Sequence, residues 1–399
     1  MMRFMRKILL GLVKMLSPGS KYWGPPKRVC LSTYRWFLDQ RKSTGAFKIR
    51  YEEVIPEHTL ERALPIGLED SVDWRFEKNL RREIPPAFLL TIENARVVGS
   101  SGAILTDRDE LLADISKELG KPVDQHSVLT RWKLPPLKKL EGKVVVFATS
   151  GGHNYYHWLL DVLPRFYLLR CGRVDLSKIS FFLINEGYRQ EQKQVFEQLG
   201  IPTDRIIECC PKNHWQAREL MIPFAPASRN NPTSWICHFL RDIFASSIEK
   251  GKQDYPKRLY ISRSNAKKRH VLNEEKLIIF LRSLGFETVD LENILIHDQI
   301  ALFRSAEIIV GAHGAGLSNL VFCGPQAQVI ELFSPAYVNG CYWALAEQVG
   351  VRYAYLLGEG QRPVCGDDPH RVGEDMMIRI DDLACLLRKM KVTRQEGVL

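Results

Sequence analysis

Three short stretches of this chain carry side chains that could do chemistry at the spacings they show. In "SGGHNYYHWLLDVLPRFYLL", residues 150–169, His153, His157 and Asp161 recur every fourth position, which on a helix sets them along one face. Asp161 could orient His157 while an imidazole, of His157 or His153, takes a proton, the arrangement a general base needs; in the alternative Asp161 is itself the base, and it ranks ahead of His157 in that role. The same residues are metal-ligand types, but no second cluster supports a metal site. A structural alternative is an amphipathic helix with Trp158, Leu159, Leu163 and Phe166 turned inward. Pro164 removes a helical hydrogen bond to residue 160 and predicts a kink or a restart, and Arg165 offers a further phosphate or carboxylate contact.

The second stretch, "KRLYISRSNAKKRHVLNEEK", places Lys257, Arg258, Arg263, Lys267, Lys268 and Arg269 within thirteen residues without one acid. A strand ending near Ser262 and a helix beginning after Asn273, a good N-cap, leave residues 263–269 in the loop between them. Arg263 and Arg269 suit bidentate phosphate contacts, with Lys267 and Lys268 as point charges.

The third stretch, "EIIVGAHGAGLSNLVF", follows an apolar strand with Gly311, His313, Gly314, Ala315 and Gly316 and continues into a helix bearing Asn319. Backbone amides at the carboxyl end of a parallel strand and the amino end of a helix are where open α/β sheets bind anions. The order G-x-x-G-x-G is not the dinucleotide G-x-G-x-x-G, which disfavours a nicotinamide cofactor. His313 can donate to a phosphate or a sugar hydroxyl, and Glu331, at the end of "QVIEL", can accept from ribose hydroxyls. Two anion-friendly loops at one sheet edge suit a diphosphate.

These loops need a scaffold, and the apolar runs supply one. One βα block is expected from strand 143–149, helix 155–170, strand 180–185, helix 189–199, strand 218–224 and helix 233–249. A second comprises strand 257–262, helix 274–284, strand 286–290, helix 297–304, strand 307–310, helix 316–322, strand 328–333, helix 340–348 and strand 352–357. Alternation of this kind implies parallel sheets covered on both faces, here as two Rossmann-like domains facing a cleft. The expected division is an irregular N-terminal lead-in over 1–85, an acceptor domain over 86–250, a donor domain over 251–360 and a tail over 361–399, whose helix packs back through Leu383, Leu386 and Leu387. Gly99 to Gly102 reads as a hairpin turn. Asp107 and Glu110 have capping-box spacing for a helix start, which accounts for the lone D-x-D, Asp107-Arg108-Asp109.

The chain has 399 residues, 45% hydrophobic and 26% charged, enough for two cores. Its formal charge of +10 calls for an anionic partner. Few aromatics interleave with the basic cluster and no nucleic-acid-binding motif is present, which excludes nucleic acid from this reading. Nine cysteines without metal spacing read as free thiols in a cytosol-like compartment. The start, "MMRFMRKILLGLVKML", is too short to span a bilayer and reads as a basic helix able to lie on a membrane surface through residues 1–16, the alternatives being a disordered tail or a signal-like segment lacking a small-residue cleavage site.

The blocks "HNYYHWLLDVLPR", "LYISRSNAKKRHVLNEE" and "GAHGAGLSNLVFC" followed by "VIEL" together resemble glycosyltransferase family 61 over roughly 85–360. The resemblance implies a GT-B architecture and inverting transfer from a nucleotide sugar, UDP-linked by preference, without an essential metal or other cofactor. It implies pyrophosphate contacts from Arg263 and Arg269, a glycine loop at Gly314, Ala315 and Gly316, a nucleotide-side acid at Glu331, and His153, His157 and Asp161 at the cleft. The implied acceptor is a glycan or lipid-linked saccharide in cell-surface polysaccharide synthesis. A catalytically silent nucleotide- or glycan-binding scaffold is the alternative.

Overall fold

The computed structural model describes residues 25–42, 49–226, 231–245 and 255–392. The expected surface helix of residues 1–16 and the latter part of helix 233–249 lie outside them. The chain forms two compact units, one from residues 1–57 and 85–226, the other from 58–84 and 227–399. The stretch read as an irregular lead-in contains the strand Arg28–Cys30, the helix Thr33–Lys42, the strand Ile49–Ile55 and a hairpin of His58–Glu61 with Arg81–Ile84, so it contributes ordered elements to both units.

The first unit is built on a ten-stranded sheet. Lys138–Val146, Phe181–Asn185 and Ile206–Cys209 run parallel, and Val144, Val145 and Val146 are buried on both faces, as parallel strands require. His214–Phe224 pairs parallel with Lys138–Val146 on one side and antiparallel with Ala87–Glu93 and Arg96–Val98 on the other. The sheet is therefore mixed, which corrects the purely parallel expectation: an apolar run does not encode the direction of the strand that will pair with it. Arg96–Val98 and Ala103–Leu105 form the expected hairpin, whose turn takes positive φ at Gly99 and Gly102. The helix expected near Asp107 is absent. Glu110–Leu112 is a strand, and Asp109 instead holds the fully buried Arg96 at 2.7 Å.

The second unit is a five-stranded parallel sheet in the order Glu287–Val289, Arg258–Ile261, Ile308–Ala312, Gln328–Phe333, Arg352–Leu357. Strand order reverses between Arg258–Ile261 and Ile308–Ala312, the switch point where ligands of open α/β sheets bind beyond the carboxyl ends. The closing helix Ile380–Lys389 buries Leu383, Leu386 and Leu387 in this unit's own core, with Leu277 and Leu281 of the helix Glu274–Arg282. All nine cysteines are unpaired. No described helix is long and apolar enough to cross a membrane.

One buried base makes the first unit's stability pH-dependent. His214 Nδ1 bonds Pro135 O at 2.9 Å, Arg96 lies against its Nε2, and burial pushes its pKa down to about 4. The unfolded chain takes up this proton near pH 6.5 while the folded one resists it, so stability is lost as pH falls from about 6.5 toward 4, by at most about 3 kcal/mol from this group. Denaturation midpoints should decline over that window in the native protein, with a shallower slope in His214→Gln; equal slopes would refute the assignment.

Candidate active site

In the second unit, register brings the two basic and glycine loops together. Ile261 pairs with Gly311, so the loops leaving these neighbouring strands start side by side. Gly314 caps the 3₁₀ helix Ala315–Phe322, and the amides of Gly314, Ala315 and Gly316 have no acceptor among the described residues. Gly314 has extended backbone and is glycine for space: a Cβ there would collide with the Arg263 guanidinium. Arg263 donates through Nη2 to Lys268 O at 3.0 Å, and its buried Nε has no partner. Burial and then Arg269 hold its pKa below the usual value.

Arg269 adopts φ 59, a left-handed conformation that costs a β-carbon-bearing residue about 1 kcal/mol. It is held there by its bonds to His313 O and Val372 O, both 2.8 Å, and its guanidinium lies over the Tyr337 ring. Lys267 and Lys268 are exposed. None of these four cations pairs with a carboxylate among the described residues, so an incoming anion meets unneutralised charge.

Other residues of this loop serve the framework. Gly311 is buried within its strand, against Ile261. Asn319 is buried, and its amide bonds Gln299 Oε1 at 2.9 Å and Gly316 O at 3.1 Å, which fixes the loop rather than facing a ligand. Glu331 is fully buried and both its oxygens are engaged, by His313 Nδ1 at 2.5 Å and by the Tyr353 hydroxyl, so it does not present a carboxylate to a ribose. Burial raises its pKa well above the carboxylate range, while burial and then Arg269, Arg263 and Lys268 lower that of His313 well below the usual value.

In the first unit, Asn154 caps the helix Tyr155–His157, accepting from Tyr156 N at 3.0 Å. A π-helical turn, Trp158–Val162, follows, closed by Leu163 N to Trp158 O at 3.0 Å, and Pro164 begins a new helix through Cys171. The restart expected at Pro164 is thus present, reached through a wide turn of a kind frequent at functional sites. His157 Nδ1 lies 2.6 Å from Asp161 Oδ2. Asp161 is 1% exposed and its Oδ1 has no partner, whereas His157 is partly exposed. With Nδ1–H given to Asp161, Nε2 of His157 is left as an acceptor.

His153 precedes the cap and is exposed, so the expected three-residue face reduces to a pair. Arg165 is no ligand contact: its buried guanidinium bonds Asp161 O at 3.2 Å, and burial lowers its pKa to about 10. Asn185 was missed by sequence reading. Its side chain bonds Thr149 N, Thr149 O and Ser100 O and leaves no room for a Cβ on Gly152, which fixes the turn that carries Gly151 over His157. Only its place at the end of a parallel strand could have marked it. Among the described residues, no three His, Cys, Asp or Glu side chains group as metal ligands.

The fold and site define an α/β protein with amides and cations gathered at the switch point of one unit and a histidine–carboxylate pair in the other. Residues 155–330 match the family model described as Glycosyltransferase 61. Relatives include an EGF domain-specific O-linked N-acetylglucosamine transferase of Drosophila melanogaster, 36% identical over 27% of this chain and 22% of the relative. The mouse protein of the same description is 28% identical over 30% of this chain and 25% of the relative. The beta-1,2-xylosyltransferase XAX1 of Oryza sativa subsp. japonica is 24% identical over 60% of this chain and 46% of the relative. The chain thus spans less than half the length of these curated relatives.

Gly314→Ala should leave the fold intact, since its φ of −174° suits any residue, yet displace Arg263. The expected result is a denaturation midpoint within about 2 °C of the native protein and a loss of tenfold or more in nucleoside diphosphate affinity, the scale of one charged hydrogen bond. Unchanged affinity would mean that Arg263 is not a ligand contact.

Proposed function

We propose that this protein is an inverting glycosyltransferase of GT-B architecture that moves a sugar from a nucleotide-diphosphate sugar, UDP-linked by preference, to a glycan or lipid-linked saccharide. The observation that carries this reading is the set of free amides at Gly314, Ala315 and Gly316 beside the unneutralised Arg263, at the switch point of a parallel sheet within the segment that matches the family 61 model. The printed names of the relatives, transferases of N-acetylglucosamine and xylose, support the reaction class and leave the sugar open.

In the proposed reaction the acceptor oxygen attacks the anomeric carbon, the bond from that carbon to the diphosphate oxygen breaks, and the acceptor proton passes to His157 Nε2. One displacement inverts the centre. Asp161 is too deeply buried to reach an acceptor; it orients the imidazole and stabilises the imidazolium that forms, with Arg165 as the counter-charge beneath it. The amides with Arg263, Lys268 and Arg269 take up the charge that develops on the leaving diphosphate. No metal or other cofactor is assigned a role in this proposal. The reading extends to cell-surface polysaccharide synthesis at the cytoplasmic face of a membrane, approached through residues 1–16, with no nucleic-acid partner.

Thermal stabilisation by UDP, GDP, CMP, dTDP, NAD and their sugar conjugates tests the donor class, because a ligand that binds only the native state raises its stability. One nucleoside diphosphate should stabilise the native protein and fail to stabilise Arg263→Ala. Stabilisation by NAD alone would overturn the proposal, and binding without hydrolysis or transfer would leave a silent scaffold.

With the donor known, His157→Ala should lower kcat by about 10³-fold or more, and Asp161→Asn by about 10²-fold, with donor affinity unchanged in both. Activity of His157→Ala within a few-fold of the native protein would remove it as the base. The anomeric configuration of the product, read by NMR, decides inversion.

A further inference from the structure

His313 is the one histidine of the glycine loop, and its hydrogen-bond partners point inward. Its backbone N–H donates to Leu332 O at 3.0 Å, its carbonyl accepts from Arg269, and its Nδ1 lies 2.5 Å from Glu331 Oε1. Glu331 Oε2 accepts from the Tyr353 hydroxyl on the next strand. Nε2, on the opposite edge of the ring, has no partner among the described residues. The ring itself is clamped by Phe333, stacked at 5.4 Å, and by Tyr342 at 5.1 Å.

We infer that Tyr353 and Glu331 are positioning residues that fix the tautomer of His313, so that it offers a neutral Nε2–H as a hydrogen-bond donor to the diphosphate of a nucleotide ligand. The inference rests on the donor-site reading above and deepens it. Each donor in the chain finds one acceptor: Tyr353 O–H to Glu331 Oε2, Glu331 Oε1–H to His313 Nδ1, His313 Nε2–H to a phosphate oxygen.

The charge state follows from the surroundings. Glu331 is wholly buried, which favours the carboxylic acid. Arg269, Arg263 and Lys268 face His313 from the basic loop and disfavour a further proton on it. Cys341 and Tyr342, on the packed helix, and Tyr337 have raised pKa values and contribute no charge near neutrality. A carboxylate at Glu331 would repel the anion that the loop is built to receive; a neutral Glu–His pair leaves the anion facing only cations and N–H donors. A neutral histidine with a lowered pKa acts as an electrophilic donor in other active sites.

Long-range ¹H–¹⁵N spectra of the full chain labelled with ¹⁵N-histidine test this directly, the His313 signals being assigned by their loss in His313→Asn. The expected result is a neutral Nε2–H tautomer, unchanged between pH 5.5 and 8, whose Nε2 shift moves when UDP, or whichever nucleoside diphosphate stabilises the protein, is added. Glu331→Gln can reproduce the pattern, its carbonyl accepting from Tyr353 and its amide donating to Nδ1, and should retain ligand affinity within about threefold. Glu331→Leu should lose tenfold or more. An Nδ1–H tautomer or an imidazolium at pH 7, or native affinity in Glu331→Leu, would overturn the inference while leaving the donor reading intact. If no nucleoside diphosphate binds, the donor reading fails and this inference fails with it.

Discussion

The constraint on which the meeting of the basic and glycine loops depends is the reversal of strand order beside Arg258–Ile261. Because Ile308–Ala312 lies next to that strand rather than beyond Glu287–Val289, the loops 263–269 and 313–316 leave the sheet side by side. Their contact is close enough that Gly314 has to lack a side chain for the Arg263 guanidinium to lie where it does. Helices covering both faces of a parallel sheet leave only its ends open, so cations and free amides collect at the carboxyl edge.

Desolvation sets the character of the charges gathered there. Arg263 is partly buried and pairs with no carboxylate among the described residues, and such a cation is costly unless an anion completes it. The same burial acts on His313 and Glu331 beneath the loop, lowering the pKa of the first and raising that of the second, so each is pushed toward its neutral form. The protein thus concentrates positive charge on the surface of the loop and removes negative charge from the layer below it. The left-handed Arg269 fits this picture: its strained backbone is held by two carbonyl bonds that also fix the loop carrying His313.

The first unit solves a different problem, that of presenting one imidazole edge while burying a carboxylate. The π turn at Trp158–Val162 inserts an extra residue between the Asn154 cap and the Pro164 restart, and His157 and Asp161 meet across it. Arg165 supplies a counter-charge from the following helix, and Asn185 anchors the turn that covers His157. Buried side chains therefore decide how the partly exposed imidazole is held.

Much of this was legible in one dimension because it depends on local pattern. Hydrophobic runs bounded by glycine, the Pro164 break, the basic loop without acids and the glycine turn are short-range features, and they located the strands Gln328–Phe333 and Arg352–Leu357 to the residue. What the sequence left open involves partners far apart along the chain. The antiparallel half of the first sheet, the turning of Glu331 toward Tyr353, the spending of Asn319 on Gln299 and the exclusion of His153 from the histidine–carboxylate pair each depend on burial or on a contact made only after folding. Sequence determined which residues could carry charge and where the backbone could turn; tertiary structure decided which were desolvated and which met, because hydrogen-bond direction and dielectric environment exist only once the chain has closed around them.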